Sequence, residues 1–225
     1  MKYIGIIVPI LLLITSYLLG SIPFALIVSK VFKGIDIREH GSKNMGTTNT
    51  LRVLGPKYAL IVFILDALKA ALVVLLFSTG LLDYQANWMI LKIHPIIYGL
   101  VAVIGHAFPV FADFKGGKGI ACSAGIAIAY CPGIFLIAIS IFLIVLLISK
   151  YVSLSSICGI GTAFICSFFK HQNGKIDWVF VVCVFLLWIF IIILHRKNIV
   201  KLIKHQESKL DLLKKFKNRK KINKN

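Results

Sequence analysis

The sequence predicts an all-α, polytopic integral membrane protein of seven transmembrane helices, with the N-terminus outside and the C-terminus in the cytoplasm. Three observations carry that expectation. Of the 225 residues, 59% are hydrophobic and 15% are charged, against about 45–50% and 25% in soluble domains. Seven apolar segments follow one another, reaching far beyond the stretch that a cleaved signal peptide would explain. The basic residues are also segregated. With seven spans, 21 of the 26 Lys and Arg fall on one side and four on the other, with Lys69 inside a span. The Lys/Arg-rich side is the cytoplasmic one. Six spans would leave the 12 basic residues of the tail outside.

The segments are Ile4–Ser29, Tyr58–Ser78, Ile93–Phe111, Gly119–Tyr130, Ile134–Ser149, Leu154–Phe169 and Trp178–Leu194. A span needs about 20 residues at a helical rise of about 1.5 Å. The first, second, third and seventh meet that comfortably. The fourth is short and stops at Cys131-Pro132-Gly133, a turn signal. It reads as its own helix or as fused to the fifth, and the charge count favours its own helix. Residues 1–195 then form one membrane domain, and residues 196–225 a basic cytoplasmic tail. In the tail Ile199, Leu202, Ile203, Leu210, Leu213 and Phe216 recur at helical spacing among lysines. This suits an amphipathic helix on anionic lipid; a solvated tail is the alternative.

The net charge of +18 would suggest nucleic acid in a soluble chain. Here 12 of the 26 basic residues directly follow an apolar helix, so membrane lipid is the expected partner and nucleic acid is not. The five cysteines form no CxxC pair and lie in or beside apolar segments. They read as small buried hydrophobes, with no disulfide framework or zinc site. No internal repeat of fixed period suggests an inverted-repeat transporter.

Four polar constellations interrupt the apolar chain, and the expected topology puts all four on the cytoplasmic side. The first runs from Gly34 to Arg52, with Ser42, Asn44, Gly46, Thr48 and Asn49 in its second half. Glycine-exposed N–H groups beside hydroxyl and amide donors suit a phosphate. Thr48 or Asn49 can equally cap the next helix. The second contains His106 and the run Lys115-Gly116-Gly117-Lys118-Gly119. Its two lysines can converge on one anion, but the spacing is not that of a nucleotide P-loop. His106 reads as a helix-packing hydrogen-bonder or as a base. The third, Ser153, Ser155 and Ser156, opens a helix. Its hydroxyls are caps or phosphate donors. The fourth is His195-Arg196-Lys197-Asn198, in which His195 and Asn198 share a helix face. Asp66 and Lys69 have the same spacing inside the second span and read as a buried ion pair or a tether to a loop.

Together these groups make a site for phosphorylated anions, without the carboxylate cluster that metal-dependent phosphotransfer wants. No cofactor and no metal are expected. A transporter for organic phosphates is the alternative function, and it predicts access from both faces.

Taken together, Gly20-Ser21-Ile22-Pro23-Phe24, Asp36-Ile37-Arg38, the run from Gly41 to Asn49, Gly105-His106 with Phe108-Pro109, Phe114 to Gly119, Tyr151-Val152-Ser153-Leu154 and His195-Arg196 with Asn198-Ile199 resemble the bacterial membrane acyl-phosphate:glycerol-3-phosphate acyltransferases, the PlsY family. The resemblance covers about Gly20 to Glu207. It implies a multi-pass enzyme of the bacterial inner membrane, its active site facing the cytoplasm. The implied reaction moves a fatty acyl group from acyl phosphate to the 1-hydroxyl of sn-glycerol 3-phosphate. Its products are lysophosphatidic acid and phosphate, the first step of phospholipid synthesis.

By the same resemblance, Ser42, Asn44, Gly46, Thr48, Asn49, Gly116 and Gly117 hold acyl phosphate. Arg52, Lys118, Ser153, Ser156, His195 and Asn198 hold glycerol 3-phosphate, and Arg52, Lys118, Ser156 and His195 are the catalytic set. Lys115 and His106 are further candidates. The base is left open among the acceptor's phosphate, His195 and His106. The chain departs from the family pattern most at Lys43, where a glycine is usual.

Overall fold

The computed structural model describes residues 3–169, 171–172 and 174–210. Each of the seven apolar segments is helical. The first is two helices, α1 (Ile4–Ser21) and α2 (Phe24–Lys33). Pro23 cannot donate to the ladder and holds Ile22 extended, at ψ 117°, so the helix breaks there. A short helix α3 (Thr47–Val53) precedes α4 (Pro56–Ser78), which starts on a proline at its first turn. Then come α5 (Pro95–Ala107), α6 (Ile120–Tyr130), α7 (Pro132–Ser149), α8 (Val152–Ser167), α9 (Trp178–Leu194) and α10 (Arg196–Ile203). Cys131-Pro132 separates α6 from α7, so the fourth and fifth segments are distinct helices. Among the described residues, one departure from all-α stands between α8 and α9. Strands β1 (His171–Gln172) and β2 (Lys175–Ile176) pair antiparallel, because the chain reverses at Gly174, φ +75°.

Among the described residues, four helical stretches are long and apolar enough to cross a membrane: Ile4–Lys33, Pro56–Ser78, Pro95–Ala112 and Pro132–Ser149. Helices α9 and α10, bent by 61° at their junction, make a fifth if counted as one span, while α6 and α8 are shorter apolar helices. The core lies where α5, α6, α8 and α9 meet, around Ile96, Val103, Cys122, Ile126, Val184 and Ile191. A second cluster of Leu26, Val28, Ile37, Met45 and Val62 lies under the loop that follows α2. All five cysteines are free, and each is buried or half-buried, as small hydrophobes would be. Large apolar side chains such as Leu136, Ile148 and Ile165 face outward, the inverse of a soluble surface.

Close helix approach aligns the site. A Cβ at Gly20 would meet the Ala102 backbone, and one at Gly105 would meet the Tyr17 carbonyl, so α1 and α5 pack backbone to backbone. That contact sets the C-terminal end of α5, and with it His106, beside the α1–α2 break. In the tail, α10 carries Ile199, Leu202 and Ile203 as expected, whereas Leu213 and Phe216 lie outside the described residues.

Candidate active site

The loop between α2 and α3 is built on its own side chains. Asp36 caps a single 3-10 turn (Ile37–Glu39), accepting from the Arg38 N–H at 2.9 Å. The Arg38 guanidinium grips Asp36 at 2.8 Å and reaches Asp113 at 3.1 Å, tying this loop to the one after α5. The Arg38 hydrogen bonds hold the Asp36 carboxyl down to about 2. Asn49, buried on α3, accepts from the Ser42 N–H at 2.8 Å and donates to the Ile37 and His40 carbonyls at 3.2 and 3.0 Å. Its amide is spent on holding the loop's shape. Neither Thr48 nor Asn49 caps α3; Gly46 holds that position, with no side-chain cap.

The second loop follows α5 through a 3-10 turn (Val110–Ala112) and two residues in left-handed backbone, Asp113 and Phe114. Gly117 then donates its N–H to the His106 carbonyl at 3.1 Å. A Cβ at Gly116 would strike that carbonyl, and one at Gly117 the His106 ring, so only glycine lets this loop lie on the end of α5. The two lysines part company: Lys118 lines the cavity, whereas Lys115 is exposed and does not. The expected convergence of Lys115 and Lys118 on one anion is therefore corrected to Lys118 alone.

A cavity of about 640 Å³ lies between these loops and the ends of α8 and α9. From the first loop it is lined by Ser42, Asn44, Gly46, Thr48, Asn49 and, on α3, Arg52. The second contributes His106, Gly116, Gly117 and Lys118, and the C-terminal segments contribute Ser153, Ser156, His195 and Asn198. All four sequence constellations thus meet in one place. The α8 serines are not caps. Ser155 and Ser156 donate back to the carbonyls of Tyr151 and Val152, each at 2.8 Å, and Ser153 donates to Glu207 at 3.3 Å.

Lys43, Arg196 and Lys197, which the sequence motifs include, also face the cavity, and so do two residues that sequence reasoning passed over, Lys201 and Glu207. Glu207 arrives because the chain turns at His205, φ +54°, and Leu210 N–H binds the Lys150 carbonyl at 2.8 Å. It is the single carboxylate between Arg196 and Leu210, which is the signal that was there to read. The segment assigned to the tail therefore completes the cavity. Asn198 joins the charges: its carbonyl oxygen accepts from Lys118 Nζ, and its amide donates to Glu207 at 2.7 Å.

Burial lowers the Lys118 ammonium to about 8, with Glu207 opposing the shift and Arg52 and Lys201 adding to it. His195 lies past the end of α9, and its Nδ1–H donates to the Ile191 carbonyl at 2.9 Å. Burial first, and then Lys118, hold its imidazole down to about 4, so the ring is neutral and Nε2 carries a lone pair. At the floor, Asp66, His106 and Cys122 approach one another within 4.8 Å. A metal does not suit this group, because Lys69 Nζ already stands 2.7 Å from Asp66 and 3.1 Å from His106. The expected pairing of Asp66 with Lys69 holds, and so does the tether: Lys69 also donates to the Ile22 carbonyl at 2.7 Å.

Residues 10–205 match the family model described as glycerol-3-phosphate acyltransferase. The chain belongs to that family. It is 47% identical over 208 residues to a glycerol-3-phosphate acyltransferase of Bacillus cytotoxicus, covering 92% of this chain and 98% of the relative. It is 45% identical over 192 residues to that of Geobacillus kaustophilus, covering 84% and 89%. Among solved structures it is similar to PlsY, described as an integral membrane glycerol 3-phosphate acyltransferase, in its glycerol 3-phosphate form. That likeness has a TM-score of 0.79 and 34% identity, over 92% of this chain and 98% of the other. The lysophosphatidic acid form of the same enzyme matches with a TM-score of 0.77.

Proposed function

We propose that this protein transfers a fatty acyl group from acyl phosphate to the 1-hydroxyl of sn-glycerol 3-phosphate, releasing lysophosphatidic acid and phosphate. The observation that carries the reading is the charge of the cavity. Six cations line it (Lys43, Arg52, Lys118, Arg196, Lys197 and Lys201) against Glu207 and an Asp66 already paired with Lys69. Such a volume favours ligands bearing phosphate. It also adjoins an apolar slot between α6, α7, α8 and α9, with which it shares Ile120, Phe142 and Ser156. A phosphate cradle continuous with an apolar slot suits a lipid-tailed phosphate.

In this reading the Ser42–Thr48 loop and the Gly116-Gly117 backbone hold the donor phosphate. Arg52 and Lys118 neutralise charge as the bond to phosphate breaks. Ser153, Ser156, His195 and Asn198 hold the acceptor with its hydroxyl facing the acyl carbon. The hydroxyl oxygen attacks that carbon, the carbon–oxygen bond to phosphate breaks, and phosphate leaves. His195 accepts a hydrogen bond from the hydroxyl through Nε2. A group held near 4 is a weak base, so the proton passes to the acceptor's phosphate, whose second pKa is about 6.

The same proposal places the chain in the bacterial inner membrane. It has seven spans, the N-terminus outside, and the cavity open to the cytoplasm, in line with the distribution of Lys and Arg. Single cysteines introduced at Asp113 and Tyr84, after removal of the native thiols, are expected to label from inside and from outside respectively. The deciding assay uses purified protein in bilayers with glycerol 3-phosphate and either acyl phosphate or acyl-CoA. Lysophosphatidate is expected with acyl phosphate alone. Robust transfer from acyl-CoA overturns the donor, and transport of glycerol 3-phosphate without acylation overturns the enzyme.

A further inference from the structure

The buried charges at the cavity floor have a consequence for His106. Asp66 and Lys69 stand one helical turn apart on α4, both buried. Lys69 Nζ meets Asp66 Oδ1, the Ile22 carbonyl and His106 Nδ1, at 2.7, 2.7 and 3.1 Å. Asp66 is the ion-pair partner of this ammonium, and the Ile22 carbonyl and His106 Nδ1 are its hydrogen-bond partners. An ammonium has no lone pair, so His106 Nδ1 is the acceptor in this contact. The proton of the neutral ring is then on Nε2. If the ring takes up a second proton at Nδ1, Nε2 keeps its own. With Lys69 donating to Nδ1 at 3.1 Å, nearer than Asp66 Oδ1 at 3.5 Å, Nε2 is a donor without a lone pair in either state.

Nε2 also lies against the glycine loop. A Cβ at Gly117 would run into this nitrogen and into the Met45 carbonyl, and His106 itself lines the cavity. His195 has the opposite arrangement. Its Nδ1–H is given to Ile191, which leaves Nε2 bare. Of the two histidines lining the cavity, one is set to donate and one to accept.

We infer that His106 is a hydrogen-bond donor at the floor of the cavity, directed at the oxygens of the bound acyl phosphate, and that Lys69 and Asp66 are positioning residues that hold its tautomer. The inference rests on the acyltransferase reading. It takes His106 out of the candidates for the base and gives it a part in holding the group that leaves.

The test compares His106→Leu, His106→Gln and Lys69→Met with the unaltered protein in bilayers, using acyl phosphate and glycerol 3-phosphate. His106→Leu is expected to lower kcat/KM for acyl phosphate by about 10–100-fold, the scale of one lost hydrogen bond to a charged group. His106→Gln keeps a side-chain N–H and is expected to recover most of that loss. Lys69→Met is expected to resemble His106→Leu, with the KM for glycerol 3-phosphate little changed. Equal losses in His106→Gln and His106→Leu, or full activity in His106→Leu, overturn the inference. A second measurement does not depend on the variants' activity. In ¹⁵N-histidine-labelled protein, the His106 resonances should show Nε2 protonated, and a bare Nε2 overturns the assignment. If the unaltered protein makes no lysophosphatidate from acyl phosphate, the acyltransferase reading fails first. If it does and the variants disobey, the His106 assignment alone fails.

Discussion

Two polar clusters sit at opposite ends of α5, α6 and α9, one buried and one open, and they are built on different principles. At one end Asp177 caps α9, accepting from the Phe180 N–H at 2.9 Å and from the Tyr130 hydroxyl at 2.5 Å. His94 caps α5, accepting from the Ile96 N–H at 3.4 Å, while its other nitrogen lies 3.1 Å from Tyr130. Both oxygens of Asp177, the Tyr130 hydroxyl and both nitrogens of His94 have protein partners. At the other end Arg52, Lys43 and Lys201 face an open volume and make no ion pair among the described residues. A buried polar group is costly unless it is satisfied. A cluster that closes on itself fastens three helices, and one with surplus positive charge around a cavity suits an anion.

The comparison breaks most sharply at Lys118. Lys118→Ala should lower kcat/KM by about 100-fold or more, roughly 3 kcal/mol, while the thermal midpoint in detergent stays near that of the unaltered protein. Near-normal turnover would remove Lys118 from the site and blur the contrast. The mirror experiment is Asp177→Ala. It removes a cap worth about 1 kcal/mol and leaves the Tyr130 hydroxyl without its acceptor, a further 1–3 kcal/mol. The midpoint should fall while activity per folded molecule persists; lost activity at an unchanged midpoint would give the closed cluster a role in turnover.

A pH profile sharpens the open end. Lys118 titrates near 8 in the free enzyme, so its ammonium form falls from about 90% at pH 7 to about 10% at pH 9. The kcat/KM profile reports the free enzyme, and its alkaline limb should lie near pH 8. Glu207 raises the Lys118 value. Glu207→Gln should therefore move that limb toward lower pH, and an unmoved limb would mean that Glu207 does not act on Lys118.

The smallest effect is expected at Lys43. This residue holds φ +59° at the cavity's rim, a conformation costing a non-glycine residue about 1 kcal/mol. Lys43→Gly should relax the loop and raise the KM for acyl phosphate a few-fold at low salt, with the difference fading at high ionic strength. A KM indifferent to both charge and salt would place the ammonium in solvent.

Much of this was legible in the chain. Pro132 after Cys131 marked the turn between two helices, because proline acts on the backbone at its own position. The facing of individual side chains was not legible. Asn49 was read as a phosphate ligand, yet its amide is taken up by Ser42, Ile37 and His40. Lys115 and Lys118 looked equivalent three residues apart, yet Lys115 is exposed and Lys118 lines the cavity.

The sequence by itself determined the seven apolar helical segments, the surplus of positive charge and the four polar motifs. Hydropathy, proline and glycine are local properties, and they work whatever lies nearby. Only the tertiary structure decided that Glu207 returns to meet Ser153 and Asn198. It alone decided that Lys69 crosses to Ile22 and His106, and that the two cavity histidines present opposite faces of their chemistry. A hydrogen bond's direction depends on which partner arrives, and these partners come from as far as 54 residues along the chain.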